Sequence, residues 1–217
     1  MNEGVIAALG SAAVFAVGDW IARAAAPSPA RRRLEYVCKP ATILALVLAA
    51  ALLDPATGAG IRQRWFVAAL ACSLVGDVLL MLPREQFVGG LAAFLAAHVC
   101  YVVGFWTRGP AAVPFVVAMF AVTAAIGSLG RRILPAVRRQ DRRLVGPVAA
   151  YMVVIGAMVA SALAVGNPAA ALGAVLFAVS DSMIAWDRFV GGFDGAGVWI
   201  MVTYHLGQAG LVVSLLR

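Results

Sequence analysis

The stretch Ser73-Leu74-Val75-Gly76-Asp77-Val78-Leu79-Leu80-Met81-Leu82-Pro83-Arg84-Glu85-Gln86-Phe87-Val88-Gly89-Gly90, continued by Leu91 through His98 to Tyr101, decides how this chain is read. An aspartate stands inside an apolar run, a short charged turn interrupts, and a second apolar run carries a histidine and a tyrosine. An ionised side chain at the centre of a membrane helix costs about 2.5–3.5 kcal/mol on insertion scales. Asp77 therefore needs a partner or a task, and the remaining chain is read for it.

Of the 217 residues, 63% are apolar and only 12% charged, with a mean hydropathy of +0.94. Such a composition excludes an ordinary soluble domain and implies a polytopic membrane protein. The net charge of +7 comes almost wholly from arginines clustered between apolar runs. That is a topology signal, whereas nucleic-acid binding needs a basic face on a soluble domain. Cys38, Cys72 and Cys100 have no paired spacing, which argues against a disulfide framework or a zinc ribbon. The start, Met-Asn-Glu, lacks a basic n-region and reads as the lead-in to a first span and not as a removed signal peptide.

With about 20 apolar residues per span, eight segments emerge: 4–24, 39–53, 64–82, 87–107, 111–130, 144–165, 168–186 and 196–216. Pro27, Pro29, Pro55, Pro83, Pro110 and Pro168 mark junctions, and one eight-helix membrane domain over 1–217 is expected. Loops after odd-numbered spans hold thirteen of the seventeen Lys and Arg residues, among them Arg23, Arg31, Arg32, Arg33, Lys39, Arg84, Arg131 and Arg188. Arg62, Arg64, Arg108 and Arg217 fall on the other side. The positive-inside rule then puts the odd loops in the cytoplasm and both termini outside, in a bacterial cytoplasmic (inner) membrane. On these bounds Asp77 and Asp181 each lie about five residues before the inner end of a span, roughly 8 Å deep at 1.5 Å per residue. Lys39 begins span 2 on that side, Asp19 and Glu35 lie close by, and His98 and His205 lie deeper.

An internal repeat reinforces the pairing. Gly76-Asp77 precedes Phe87-Val88-Gly89-Gly90 and a helix with His98 and Tyr101; Ser180-Asp181 precedes Phe189-Val190-Gly191-Gly192 and a helix with Tyr204 and His205. The offset is 104 at the aspartates and 107 at the histidines, and Lys39-Pro40 relates to Gly146-Pro147 by 107 as well. Two parallel four-helix repeats, about 1–108 and 109–217, are expected around a central cleft.

Two carboxyls facing one poorly hydrated cleft do not both ionise easily, so one serves as acid and the other as base, the division glycosidases use on an acetal-like bond. Each could instead only pair with a cation or a helix end. His98 with Tyr101, and Tyr204 with His205 and Gln208, can line helix faces that orient a headgroup or the carboxyls, or simply bond helix to helix. Lys39 suits a phosphate, an ion pair with Glu35 four residues earlier, or a snorkelling anchor. Ser180 and Ser182 flank Asp181 without a Gly-x-Ser-x-Gly elbow. No HExxH or comparable ligand spacing is present, so no metal or other cofactor is expected.

Tyr36-Val37-Cys38-Lys39-Pro40, Gly76-Asp77-Val78-Leu79-Leu80-Met81-Leu82 with Phe87, Gly90, Phe94, His98 and Tyr101, Leu176-Phe177-Ala178-Val179-Ser180-Asp181-Ser182, and Tyr204-His205-Leu206-Gly207-Gln208 together resemble the YhhN family, bacterial relatives of the mammalian lysoplasmalogenases. The resemblance implies an eight-span hydrolase that cleaves the vinyl ether bond of lysoplasmalogens, releasing a fatty aldehyde and a glycerophospho-ethanolamine or -choline. It implies that Asp77 and Asp181 are the acid–base pair. Lys39, His98, Tyr101, Ser180, Tyr204, His205 and Gln208 are the expected substrate-binding residues. The expected partners are a lysophospholipid and membrane lipids, with no nucleic acid and no obligate protein partner. A small transporter with parallel repeats and a metal-dependent lipid amidase or esterase built on the histidines are the alternatives.

Overall fold

A computed structural model describes residues 3–54, 60–82 and 86–216. Pro55, Pro83, Arg84 and Arg217, named above as junctions and loop charges, lie outside the described residues, as does the rest of the charged turn at 83–85. Among the described residues the protein is helical without strands: α1 (Glu3–Ala24), α2 (Pro29–Leu52), α3 (Gly60–Met81), α4 (Phe87–Trp106), α5 (Ala112–Gln140), α6 (Val145–Ala164), α7 (Pro168–Phe189) and α8 (Ala196–Val213), with short 3₁₀ turns at Arg142–Leu144 and Ser214–Leu216. Among the described residues, eight helices are long and apolar enough to cross a membrane. In a bilayer only a helix or a closed barrel satisfies every backbone polar group within the span. The protein is an integral membrane protein, and Val14, Ile21, Val113, Phe120, Val153, Leu172 and Trp199 are among the large apolar side chains it turns outward.

Several helix bounds differ from the hydropathy reading, α3 for instance beginning at Gly60 and not at 64, and three of the differences are the most informative. Helix α2 starts ten residues before the expected 39, because Ser28 caps it by accepting from the Arg31 amide and Pro29 fills a first-turn position where no donor is needed. Its arginines stay helical by pairing along the helix, Arg31 with Glu35 at 2.7 Å. Lys39, expected to begin the span, lies in the helix interior and is buried. Helix α5 runs through Arg131, Arg132, Arg138 and Arg139 to Gln140, about 43 Å at 1.5 Å per residue. Helix α7 extends to Phe189, which leaves Asp181 eight residues from its end while Asp77 is four from the end of α3. Hydropathy counts charges as loop, but a helix continues through the interface wherever its charges reach water or one another.

Successive helices pack as hairpins, α1 on α2, α3 on α4, α5 on α6 and α7 on α8; α8 also touches α1, α2 and α3, and α4 touches α6. Helix α5 is peripheral, held by α6 and α7. The tightest crossing joins α7 to α8. A Cβ on Gly173 would meet the Leu211 amide nitrogen at 2.7 Å and the Gly207 carbonyl at 2.8 Å, so the backbones themselves touch, as small residues allow between membrane helices. Gly173→Ala is expected to destabilise the protein by about 1–3 kcal/mol, the usual cost of forcing extra volume into a packed interior. Thermal unfolding in detergent reads this, and an unchanged midpoint would contradict the close crossing.

Candidate active site

Asp77 and Asp181 stand in two polar settings joined by aromatic rings. Asp77, 1% exposed, projects from α3 to Lys39 of α2, whose Nζ lies 3.0 Å from Oδ1. The Tyr204 hydroxyl of α8 donates to Oδ2 at 2.8 Å. The ion pair expected with Glu35 does not form: Lys39 pairs with Asp77 instead, and Glu35 is taken by Arg31 at 2.7 Å and Arg23 at 3.8 Å. Pro40 follows directly inside α2, and Thr42 Oγ1 donates to the Cys38 carbonyl at 2.8 Å in that turn.

Asp181 projects from α7 to other elements. The Tyr151 hydroxyl of α6 donates to Oδ2, and Nε2 of His98 on α4 lies 3.5 Å from the same oxygen. Among the described residues no lysine or arginine lies within ion-pair distance of Asp181. One carboxyl is thus matched by a buried ammonium, and the other by a hydroxyl and an imidazole.

The rings between them form a continuous chain. Phe177 packs on His98 at 4.7 Å and on Tyr204 at 5.4 Å, and Phe94 stands edge-on to Phe177 and Tyr204 at 6.2 and 5.9 Å between centroids. Gly76 is what admits Phe94: a Cβ there would lie 2.7 Å from the ring. The carbonyl of Phe94 in turn holds His98 Nδ1 at 2.6 Å. The glycine beside one aspartate thus seats the residue that anchors the histidine facing the other.

The remaining expected residues divide. Tyr101 donates to Gln208 Oε1 at 2.6 Å, linking α4 to α8. His205 Nδ1 accepts from Trp20 Nε1 at 3.1 Å. Ser180 is turned to α8, where Oγ donates to the Ile200 carbonyl at 3.0 Å; it ties two helices together. Asp19 pairs with Arg23 at 3.0 Å although fully buried. Asp19 Oδ1, Ser73 Oγ, His205 Nε2 and Gln208 Nε2 are buried without a protein hydrogen-bond partner, and buried polar atoms of this kind take water. Among the described residues no group of three or more His, Cys, Asp or Glu side chains comes together as a metal site. Tyr151 and Trp20 escaped the sequence reading. Their signal was available: three of the four tyrosines, Tyr101, Tyr151 and Tyr204, lie within apolar spans, and a buried tyrosine hydroxyl seeks a partner.

The two sides of the site also differ in polarity. Asp181 and Tyr151 line a cavity of about 80 Å³ together with Leu91, Phe94, Ile126 and Leu129 among other apolar side chains. It adjoins a wider apolar groove of about 520 Å³ along α5 and α7, and Ile126, Leu129 and Ser182 line both. Apolar space thus reaches Asp181 from the α5 side, where His98 Nε2 is also unpartnered, while the unpartnered atoms of Asp19, Ser73, His205 and Gln208 lie on α1, α3 and α8.

Fold and site define a polytopic membrane protein built around two interior carboxylates. The chain belongs to the YhhN family, whose model matches residues 34–215. It is 37% identical over 171 residues to a lysoplasmalogenase of Mycobacterium bovis, covering 76% of this chain and 64% of that one. It is 36% identical over 149 residues to lysoplasmalogenase TMEM86B of Homo sapiens (69% and 62% covered), and 34% over 181 residues to that of Rattus norvegicus (83% and 71%). The chain thus spans just under two thirds of the mycobacterial and human relatives. No solved structure matches it.

Proposed function

We propose that this protein is a membrane-embedded hydrolase that cleaves the vinyl ether bond of lysoplasmalogens, with Asp181 as the acid and Asp77 as the base. The observation that carries the assignment is the unequal pairing of the two carboxyls. Lys39 sets its ammonium 3.0 Å from Asp77 as a counter-charge, which suits a carboxylate that activates water. Asp181 has a hydroxyl and an imidazole instead, at the end of apolar space fit for an alkenyl chain. The relatives' names support the substrate class.

The proton balance closes on these two groups. Asp181 protonates the β-carbon of the vinyl ether, leaving an oxocarbenium ion. Water adds at the α-carbon as Asp77 takes its proton, giving a hemiacetal. Asp77 then returns that proton to the departing glycerol oxygen, and the hemiacetal hydroxyl gives its own to Asp181. Aldehyde and glycerophospho-alcohol leave, and both aspartates are restored. None of the three steps calls on a reagent beyond water. The Tyr151 and Tyr204 hydroxyls support the carboxylate forms of Asp181 and Asp77, and Tyr101, Gln208 and His205 border the polar side.

We also read the chain as two parallel halves, about 1–108 and 109–217. Phe87 packs on Phe189, 5.8 Å between centroids, and Tyr101 bonds Gln208; each pair joins positions matched by the repeat. We further read the loops after α1, α3, α5 and α7 as facing the cytoplasm, with the protein in a bacterial inner membrane; the charge bias supports this reading.

The test is product analysis. Purified protein in lipid nanodiscs, given a 1-alkenyl lysophospholipid, is expected to release a long-chain aldehyde detectable by mass spectrometry, and to leave the saturated 1-alkyl analogue intact. Absence of aldehyde, or equal cleavage of both lipids, would overturn the reading.

A further inference from the structure

His98 is buried and its ring is held from one side only. Nδ1 lies 2.6 Å from the Phe94 carbonyl oxygen, which accepts and never donates, so Nδ1 carries a proton. Nε2 has no hydrogen-bond partner and faces Asp181 Oδ2 at 3.5 Å. In a neutral ring with that tautomer Nε2 is a lone pair, and a lone pair opposite a carboxylate oxygen repels it unless a proton lies between them. Tyr151 from α6 and Asp181 from α7 are the titratable groups described against the ring, Tyr151 edge-on at 5.2 Å between centroids. Phe177 also packs on the ring, 4.7 Å between centroids. A separated ion pair here would bury two charges with few hydrogen bonds to compensate, which costs more than a neutral acid–imidazole contact.

The geometry points to His98 as the residue that keeps Asp181 protonated: a neutral imidazole, its tautomer fixed by the Phe94 carbonyl, accepts the Asp181 carboxyl proton at Nε2. His98 acts through Asp181 and is a positioning residue; only its kinetic consequence rests on the hydrolase reading above. His205 is set the opposite way. Trp20 Nε1 donates to its Nδ1, so the neutral ring carries its proton on Nε2. The chain contains only these two histidines.

Nitrogen-15 NMR of histidine-labelled protein tests this in the wild type, with His205→Gln to assign the signals. At neutral pH, His98 is expected as the neutral Nδ1–H tautomer and His205 as the neutral Nε2–H tautomer. An imidazolium or an Nε2–H tautomer at His98 would overturn the proposal. Infrared spectra give the carboxyl side: a protonated-carboxyl carbonyl band is expected in the wild type, lost in Asp181→Asn and displaced in His98→Gln. A band missing from the wild type, or unmoved in His98→Gln, would likewise overturn it. Should His98→Gln fail to fold, the wild-type and Asp181→Asn spectra still decide.

In turnover, His98→Gln is expected to lower kcat about 100-fold, the lower end of what positioned acid–base groups contribute, with KM little changed. Its alkaline limb in the pH profile should fall at lower pH, a displacement that a purely packing role would not produce. Spectra as expected in a protein that releases no aldehyde would leave the His98–Asp181 pair standing and remove the hydrolase reading. Aldehyde release with an imidazolium at His98 would do the reverse.

Discussion

Asp181→Asn is expected to lower kcat for aldehyde release by about 10²–10⁴-fold, the span for a positioned acid or base, while the purified protein keeps its unfolding temperature. The amide is close to isosteric with the carboxyl and can still accept from the Tyr151 hydroxyl. What it lacks is a proton that an alkene carbon can take. No buried cation depends on Asp181 among the described residues, so the loss should fall on chemistry and not on folding. Asp77→Asn should reduce turnover as severely but also lower the unfolding temperature, because it strands the buried Lys39 ammonium. Aldehyde release and thermal melts on the same preparations separate the two. Near-normal turnover in either variant would remove that aspartate from the mechanism, and equal loss of stability in both would undo the acid and base assignment.

Lys39→Met is expected to be strongly destabilising. It leaves a carboxylate that is 1% exposed with one hydroxyl donor, and breaking a buried ion pair from one side costs about 3–5 kcal/mol. The double variant Lys39→Met/Asp77→Asn removes both charges and is expected to regain most of that stability while staying inactive. A snorkelling anchor would behave otherwise: Lys39→Met would be mild, and the double variant no more stable than Asp77→Asn. Thermal unfolding of the three variants in one detergent decides between these outcomes.

Much of the fold was legible because apolar runs of membrane length can only be helices. The errors came where charge and helix coincide, as at Arg31–Arg33 and Arg131–Arg139, which hydropathy assigns to loops although the helix continues through them. The candidate site was legible in kind. Asp77 and Asp181 stood out because aspartates within apolar segments are costly, and the histidines and tyrosines followed at helical spacings. Their partners were not legible. Lys39 had Glu35 at the right spacing on its own helix, yet α2 turns it to Asp77 of α3. Ser180 stood beside Asp181 in sequence, yet its hydroxyl bonds α8. Tyr151, thirty residues from Asp181, belongs to no motif.

The sequence by itself determined that this is an eight-helix membrane protein, that Asp77 and Asp181 lie within its spans, and that its arginines cluster at alternate connections, because these follow from counting apolar residues against bilayer thickness and loop charge. Only the tertiary structure decided that Asp77 meets an ammonium and Asp181 an imidazole. Tyr204 and Asp77 lie 127 residues apart, and no local pattern encodes the rotation of one helix against another. That rotation is set by where side chains interlock, as Gly76 admits Phe94 and Gly173 admits α8. Packing thereby gives two similar carboxyls unlike neighbours.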